Sequence, residues 1–427
     1  MPTITLPYDT HHPLSVRVPD RNFLGLAEQP VLPAVADPPG EIRRALAEPV
    51  GSPPLRELAR GRRAVTIAVT DITRFCPDDL VLPPVLDELA LAGVPESAVT
   101  VVLGLGSHRA MTPAEIAKKL GPRVAERLRV VNHDWKHDPS LAAAGEIDGF
   151  PVEVNHLVPD AALRITTGII EPHLFAGYSG GAKTMVIGAG GHRTIGATHG
   201  YEVLAHPSSR LGQPESIFRR FINAAGERLG VEFVVNLVID PDKRLLRAFA
   251  GHPVRVFEAG VAFARRAYEA PIPGEADIVI TVPGAPKNVN LYQATRAVNS
   301  AIMGPQPILK KGGIVIVPAP CPDGLGSEVY RAWLRDVHDG PSIVEKARTQ
   351  GIPEDGHKGY QFGRYLCYAS EVIVTDCLIS PETIREVRLT PMGSAQEALD
   401  HALARLGPDA SVLVIPHGVV TLPVLPP

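Results

Sequence analysis

Short apolar runs rich in β-branched residues recur along the chain, each closing on glycine, proline or a polar turn and most leading into a stretch with helical spacing. Residues 64–70 (AVTIAVT), 98–105 (AVTVVLGL) and 163–167 read as buried strands. Between the first two, 84–91 places Leu, Val and Ala at helical intervals behind an initiating proline. After the second, TPAE at 112–115 supplies an N-cap, a proline at the first helical position and a capping-box glutamate. Alternation of this kind predicts a parallel sheet covered by helices.

Farther along, 232–240 and 244–250 flank Pro241-Asp242-Lys243 and read as two antiparallel strands joined by a turn, an appended hairpin. The proline-rich APIPGEAD at 270–277 reads as a linker, and new buried strands follow at 278–282, 314–317, 372–375 and 412–415. A chain of 427 residues exceeds what one core usually supports. The expectation is an α/β protein of two domains, 1–268 and 269–427, each with a mainly parallel sheet flanked by helices, and an active site in the cleft between them.

Charge and composition narrow the partner. A formal net charge of -4, with no block of like charges, gives no general attraction to nucleic acid or an anionic membrane, so a small molecule is expected. Cys76, Cys321, Cys367 and Cys377 are too scattered for a disulfide framework and form no C-x-x-C pair, which suits a reducing cytoplasm. The start MPTITLPYDTHHPLS lacks the basic end and apolar run of a signal peptide, and no eighteen-residue apolar stretch is present.

Ligands of open parallel sheets gather beyond the carboxyl ends of strands, and three polar clusters fall there. Asp71-Ile72-Thr73-Arg74 follows the first strand, Gly106-Ser107-His108-Arg109 the second, and Glu171-Pro172-His173 the third. Arg74 offers a planar fork for a carboxylate or phosphate, and Asp71 an acceptor to orient it or to hold a ribose hydroxyl. His108 and His173 suit proton transfer near neutral pH. Any one cluster is as readily a turn cap, a solvated charge or a structural histidine; three at three strand ends favour function.

Gly177-Tyr178-Ser179-Gly180-Gly181-Ala182-Lys183-Thr184 nearly matches a phosphate-binding loop, with Ala182 where the second glycine belongs and EPHLFA intervening after the strand. His192 and His199, seven apart, have the spacing to share a helix face as zinc ligands, although Gly196 between them weakens a helix. From the residues alone, a P-loop-like nucleotide phosphatase or kinase and a non-catalytic nucleotide-binding module both stay open.

Taken together, DITR, GSHR, EPH, GYSGGAK and THG, with LYQATRA at 291–297, resemble the lactate racemase family over nearly the whole chain. That resemblance implies a racemase or epimerase inverting C2 of a 2-hydroxy acid by reversible hydride transfer. The cofactor it implies is the nickel-pincer nucleotide, the nickel complex of pyridinium-3,5-bisthiocarboxylic acid mononucleotide, made by dedicated synthesis enzymes. Lys183 would bind it, in the family through a thioamide tether, and His199 would ligate the nickel. Asp71, Ile72, Thr73 and Arg74 would contact the cofactor, with Arg74 also near the substrate carboxylate. His108 and His173 would be the acid/base pair, and Gln293 and Arg296 would bind substrate. Arg296 stands where lactate racemase has lysine, Ala182 where it has arginine, and Tyr360-Gln361 is matched to its Trp-Gln pair.

Overall fold

The computed structural model describes residues 2–8, 13–354 and 356–426. The chain forms two compact units, and neither is a continuous half. One comprises Val31–Thr198 and Pro214–Ala267; the other comprises Met1–Pro30, His199–Gln213 and Tyr268–Pro427. We call them the catalytic unit and the substrate unit, after the family roles expected of their residues.

The sheet of the catalytic unit runs in the order Leu245–Gly251, Phe233–Ile239, Leu163–Ile169, Val65–Thr70, Val99–Gly104, Arg129–Asn132. All neighbours are parallel except the outermost pair, Phe233–Ile239 with Leu245–Gly251. The three strands expected before residue 200 are therefore its centre. The expected hairpin is present but is no appendage: its first strand is the parallel neighbour of Leu163–Ile169, and all seven of its residues are buried. The chain moves outward from Val65–Thr70 to one side, then returns to Leu163–Ile169 on the other. This makes a switch point at which two strand ends diverge.

Local signals explain the flanking helices. Thr112 accepts from the Glu115 N–H, and the Glu115 carboxylate accepts from the Thr112 N–H, completing the expected capping box with Pro113 at the first helical position. The preceding helix differs from expectation, spanning Asp78–Leu91 with Pro83 and Pro84 inside it. Asp78 and Asp79 in its first turn favour the earlier start, since carboxylates suit the positive end of a helix.

In the substrate unit a second sheet runs Thr390–Met392, Glu371–Thr375, Leu309–Pro318, Ala276–Thr281, Val412–Ile415, Phe23–Leu26, all parallel. The four strands expected after residue 277 are all in it. Phe23–Leu26 was not expected and explains why the N-terminus joins this unit: it pairs with Val412–Ile415, and the Asn22 amide donates to the carbonyls of Pro408 and Ala410. His199–Gln213 joins because the Leu211 N–H donates to the Met303 carbonyl and Arg364 reaches the Leu204 carbonyl. The expected linker is likewise structured, Glu269–Pro271 pairing in parallel with Leu422–Val424. Among the described residues no helix is long and apolar enough to cross a membrane.

Candidate functional site

The three polar clusters all lie beyond carboxyl ends of the catalytic unit's central strands. Asp71, at the end of Val65–Thr70, is buried, and its carboxylate accepts from the Thr73 N–H (3.0 Å), the Thr73 hydroxyl (2.7 Å) and Nδ1 of His108. Burial alone would raise its pKa. The His108 hydrogen bond and the charge of Arg74 outweigh burial and hold the carboxyl well below the usual range. An ionised carboxylate only accepts, so Nδ1 of His108 carries the hydrogen and Nε2 keeps its lone pair. The His108 side chain is 39% exposed.

Two residues outside the recognised motifs hold this cluster. Lys119, on the capped helix, donates from Nζ to the carbonyls of Cys76 (2.6 Å) and Arg74 (3.2 Å) and to the Thr70 hydroxyl, and pairs with Asp78 at 2.9 Å. Asp78 is wholly buried and also accepts from the Thr167 hydroxyl. Beside His108, Arg109 makes a two-pronged contact with Glu115 at 2.9 and 2.6 Å, pulling that carboxyl down to about 2. Arg109 thus braces the His108 turn.

After Leu163–Ile169 the chain forms a two-residue ladder, Pro172–His173 against Gly177–Tyr178. The Ala176 N–H donates to Nδ1 of His173 at 3.2 Å, so the hydrogen of the neutral ring sits on Nε2. Phe175 and Phe218 flank that ring at 6.4 and 6.5 Å between centroids.

The glycine-rich turn that follows is not a phosphate loop. The ladder separates it from its strand, and the Gly181 N–H is taken up by the Asn236 side chain at 2.7 Å. From below, the fully buried Arg219 guanidinium donates to the carbonyls of Tyr178 and Gly180 and lies 3.9 Å from the centre of the Phe257 ring. The Thr184 hydroxyl ties the far end to the Thr167 carbonyl at 2.9 Å. Lys183 is presented half-buried at the start of a π-helical turn, Thr184–Gly188. That turn lies directly on the neighbouring strand: a Cβ on Gly188 would come within 3.0 Å of the Gly104 Cα.

Gly180 is a second place where only glycine fits. Its φ is +92°, and a Cβ would lie 2.6 Å from Ile170 Cγ1 and 2.8 Å from Asn236 Oδ1. Gly180→Ala should therefore destabilise the protein by about 1–3 kcal/mol, measured as a lower urea midpoint at unchanged slope.

The remaining expected residues belong to the substrate unit. The helix that begins at His192 ends at Thr198, where the chain passes between units, so His192 and His199 share no helix face, as Gly196 between them suggested. His192 instead lies 3.5 Å from Glu153. His199 packs against the His357 ring at 5.8 Å, and Nε2 of His357 is hydrogen-bonded to the Tyr292 hydroxyl. Asn290 caps the Leu291–Ala294 turn and Gln293 Oε1 accepts from Arg296 at 3.2 Å, so that pair forms one polar face. The helix His357–Leu366 packs on this segment through the Tyr365 hydroxyl, which contacts the Thr295 carbonyl and the Asn299 side chain. Tyr360 packs against Tyr201, and Gln361 contacts Lys358 and Tyr365. The side chains beside His199 and Tyr292 are His357 and Lys358, two positions the sequence reading passed over. Among the described residues no group of three or more His, Cys, Asp or Glu could hold a metal, so a metal at His199 needs its other ligands from a bound group.

Residues 8–212 match the family model of the lactate racemase N-terminal domain, and residues 273–422 that of the C-terminal domain. Lactate racemase of Thermoanaerobacterium thermosaccharolyticum is 32% identical over 386 residues, covering 88% of each chain. That of Lactiplantibacillus plantarum is 30% identical over 429 residues, covering 98% of this chain and 99% of its own. The solved T. thermosaccharolyticum apoprotein superposes with a TM-score of 0.90 at 29% identity, covering 100% of both chains. A Thermotoga maritima protein at 19% identity shares the fold, with a TM-score of 0.70 over 93% of this chain and 100% of its own.

Proposed function

This chain belongs to the lactate racemase family, and on that premise we propose that it is a racemase or epimerase acting on C2 of a 2-hydroxy acid with His108 and His173 as its acid/base pair. It is an isomerase with a small-molecule substrate. One observation carries the finer reading: the two neutral histidines rest in opposite tautomers. His108 gives its Nδ1 hydrogen to Asp71 and offers a lone pair at Nε2, whereas His173 accepts at Nδ1 and offers a hydrogen at Nε2. His108 is thus set as a base backed by a carboxylate, and His173 becomes the acid once it is protonated, when Nδ1 too carries a hydrogen and releases the Ala176 N–H.

Inversion at C2 needs such a pair. The C2 hydrogen of a 2-hydroxy acid is barely acidic, so a histidine alone cannot take it as a proton. A histidine can take the hydroxyl proton while C2 loses a hydride, leaving a planar 2-keto acid. Return of hydride to the opposite face, with a proton from the other histidine to the carbonyl oxygen, gives the mirror image. Loss and regain balance.

The nickel-pincer nucleotide supplies the reversible hydride acceptor when bound. The residues present suit it. Lys183 offers an amine on a turn braced by Arg219 and Asn236, His199 a metal ligand in a site that needs non-protein donors, and Asp71, Ile72, Thr73 and Arg74 a strand-end cradle. Gln293 and Arg296 form the polar face for the substrate. Co-production with the cofactor-synthesis enzymes should yield protein that contains nickel and interconverts D- and L-2-hydroxy acids. Loaded protein without this activity would refute the reading. Lys183→Ala should lose the added mass of the cofactor in intact-mass spectra; an unchanged adduct places the attachment elsewhere.

A further inference from the structure

Lys358 is the group that this reading leaves unused. It opens the helix His357–Leu366, yet only 1% of it is exposed. Its Nζ donates to Gln361 Oε1 at 3.0 Å and lies 5.0 and 5.9 Å from the centres of the Tyr292 and Phe362 rings. Among the described residues no carboxylate faces it. Among the described residues this buried ammonium is held by an amide oxygen and two ring faces, without the countercharge that normally accompanies one. Tyr292 belongs to the segment that carries Gln293 and Arg296, so the uncompensated lysine is packed on the substrate face. Burial and then the like charge of Arg296 press the ammonium toward neutrality, an opposition that a bound anion would relieve.

Resting on the racemase reading above, we propose that Lys358 and Arg296 form an anion subsite and that the substrate is a 2-hydroxy acid with a second carboxylate. The C1 carboxylate of a 2-hydroxy acid already has a partner in Arg74 by the family pattern, and a monocarboxylate has nothing more to offer. A short hydroxydicarboxylate supplies the missing charge. Tyr292 and Phe362 would cover its methylene carbon, and Gln361 would hold the lysine in place.

The test uses nickel-loaded protein and two probes. Turnover of malate should exceed that of lactate by tenfold or more in kcat/KM, and K358M should collapse that ratio toward one. Succinate, which has no hydroxyl to react, should bind at least tenfold more tightly than propionate by calorimetry, again only with Lys358 present. K358Q, which keeps a polar contact to Gln361 without the charge, should behave like K358M and guards against a packing artefact. Equal handling of malate and lactate, or a ratio unmoved in both variants, overturns the proposal. So does loss of nickel from K358M with the ratio intact, because the lysine would then serve an anionic group of the cofactor. A protein that racemises neither acid but still binds succinate through Lys358 would overturn the racemase reading instead, so the two failures are distinguishable.

Discussion

In cofactor-loaded protein, His108→Ala and His173→Ala should each lower kcat for racemisation by about 10²–10⁴-fold, the usual contribution of a positioned acid or base. Both losses should appear in each direction, because inversion uses one histidine to take a proton and the other to return it. Nickel content should stay unchanged in both variants, which separates lost chemistry from lost cofactor. Asp71→Asn is the more discriminating change. It keeps the shape but not the charge that fixes the hydrogen on Nδ1 of His108, so kcat should fall by about tenfold or more and the pH–rate profile should change shape. Because the folded carboxyl is depressed, Asp71 stays ionised from neutral pH down through the ordinary carboxylate range. The contribution it makes to stability is fully present above about pH 4 and is lost only as pH falls through its lowered value. An acid limb of the wild-type profile near neutrality therefore does not report Asp71. Full activity in either histidine variant would remove that residue from the pair.

The strand-end clusters were readable because they depend on local pattern. An apolar run that stops at Asp71, or at Gly106 before His108, announces both a strand and the polar group beyond it, and the capping signal at 112–115 is equally local. What pattern could not show was which group supports which. Asp71 was expected to orient Arg74 or hold a ribose, and that its carboxylate also clamps His108 was not visible. Arg219 lies on a helix made in a later part of the chain, and its role under the Tyr178 and Gly180 carbonyls exists only after folding. Phe23–Leu26, a four-residue strand broken by Gly25, carries too little alternation to be recognised, and its partner lies near the other end of the chain. The proline-rich stretch at 270–277 was visible in the sequence. The passage of His199–Gln213 into the other unit was not, since short runs there give no sign of the Met303 and Arg364 contacts that hold it.

The largest stability effect is expected at another group that pattern missed. Lys119→Met should destabilise the protein by about 3–5 kcal/mol, because it leaves the wholly buried Asp78 without its counter-charge. Burial alone would lower the lysine pKa, but Asp78, 2.9 Å away, outweighs it and raises the value. Stability from a raised lysine is fully present below its unfolded pKa of about 10.4 and is lost as pH rises through the folded value. The gap between wild type and variant in chemical unfolding should therefore hold across neutral pH and narrow only above pH 10. Asp78→Leu added to Lys119→Met removes the orphaned charge and should recover most of the stability, as apolar replacements of buried pairs commonly do. Activity should not recover with it. Lys119 also donates to the carbonyls of Arg74 and Cys76, so the double variant would fold with the Asp71–Arg74 turn untethered and a lowered kcat. Recovery of both would mean that the lysine only balances Asp78 and that the turn holds itself.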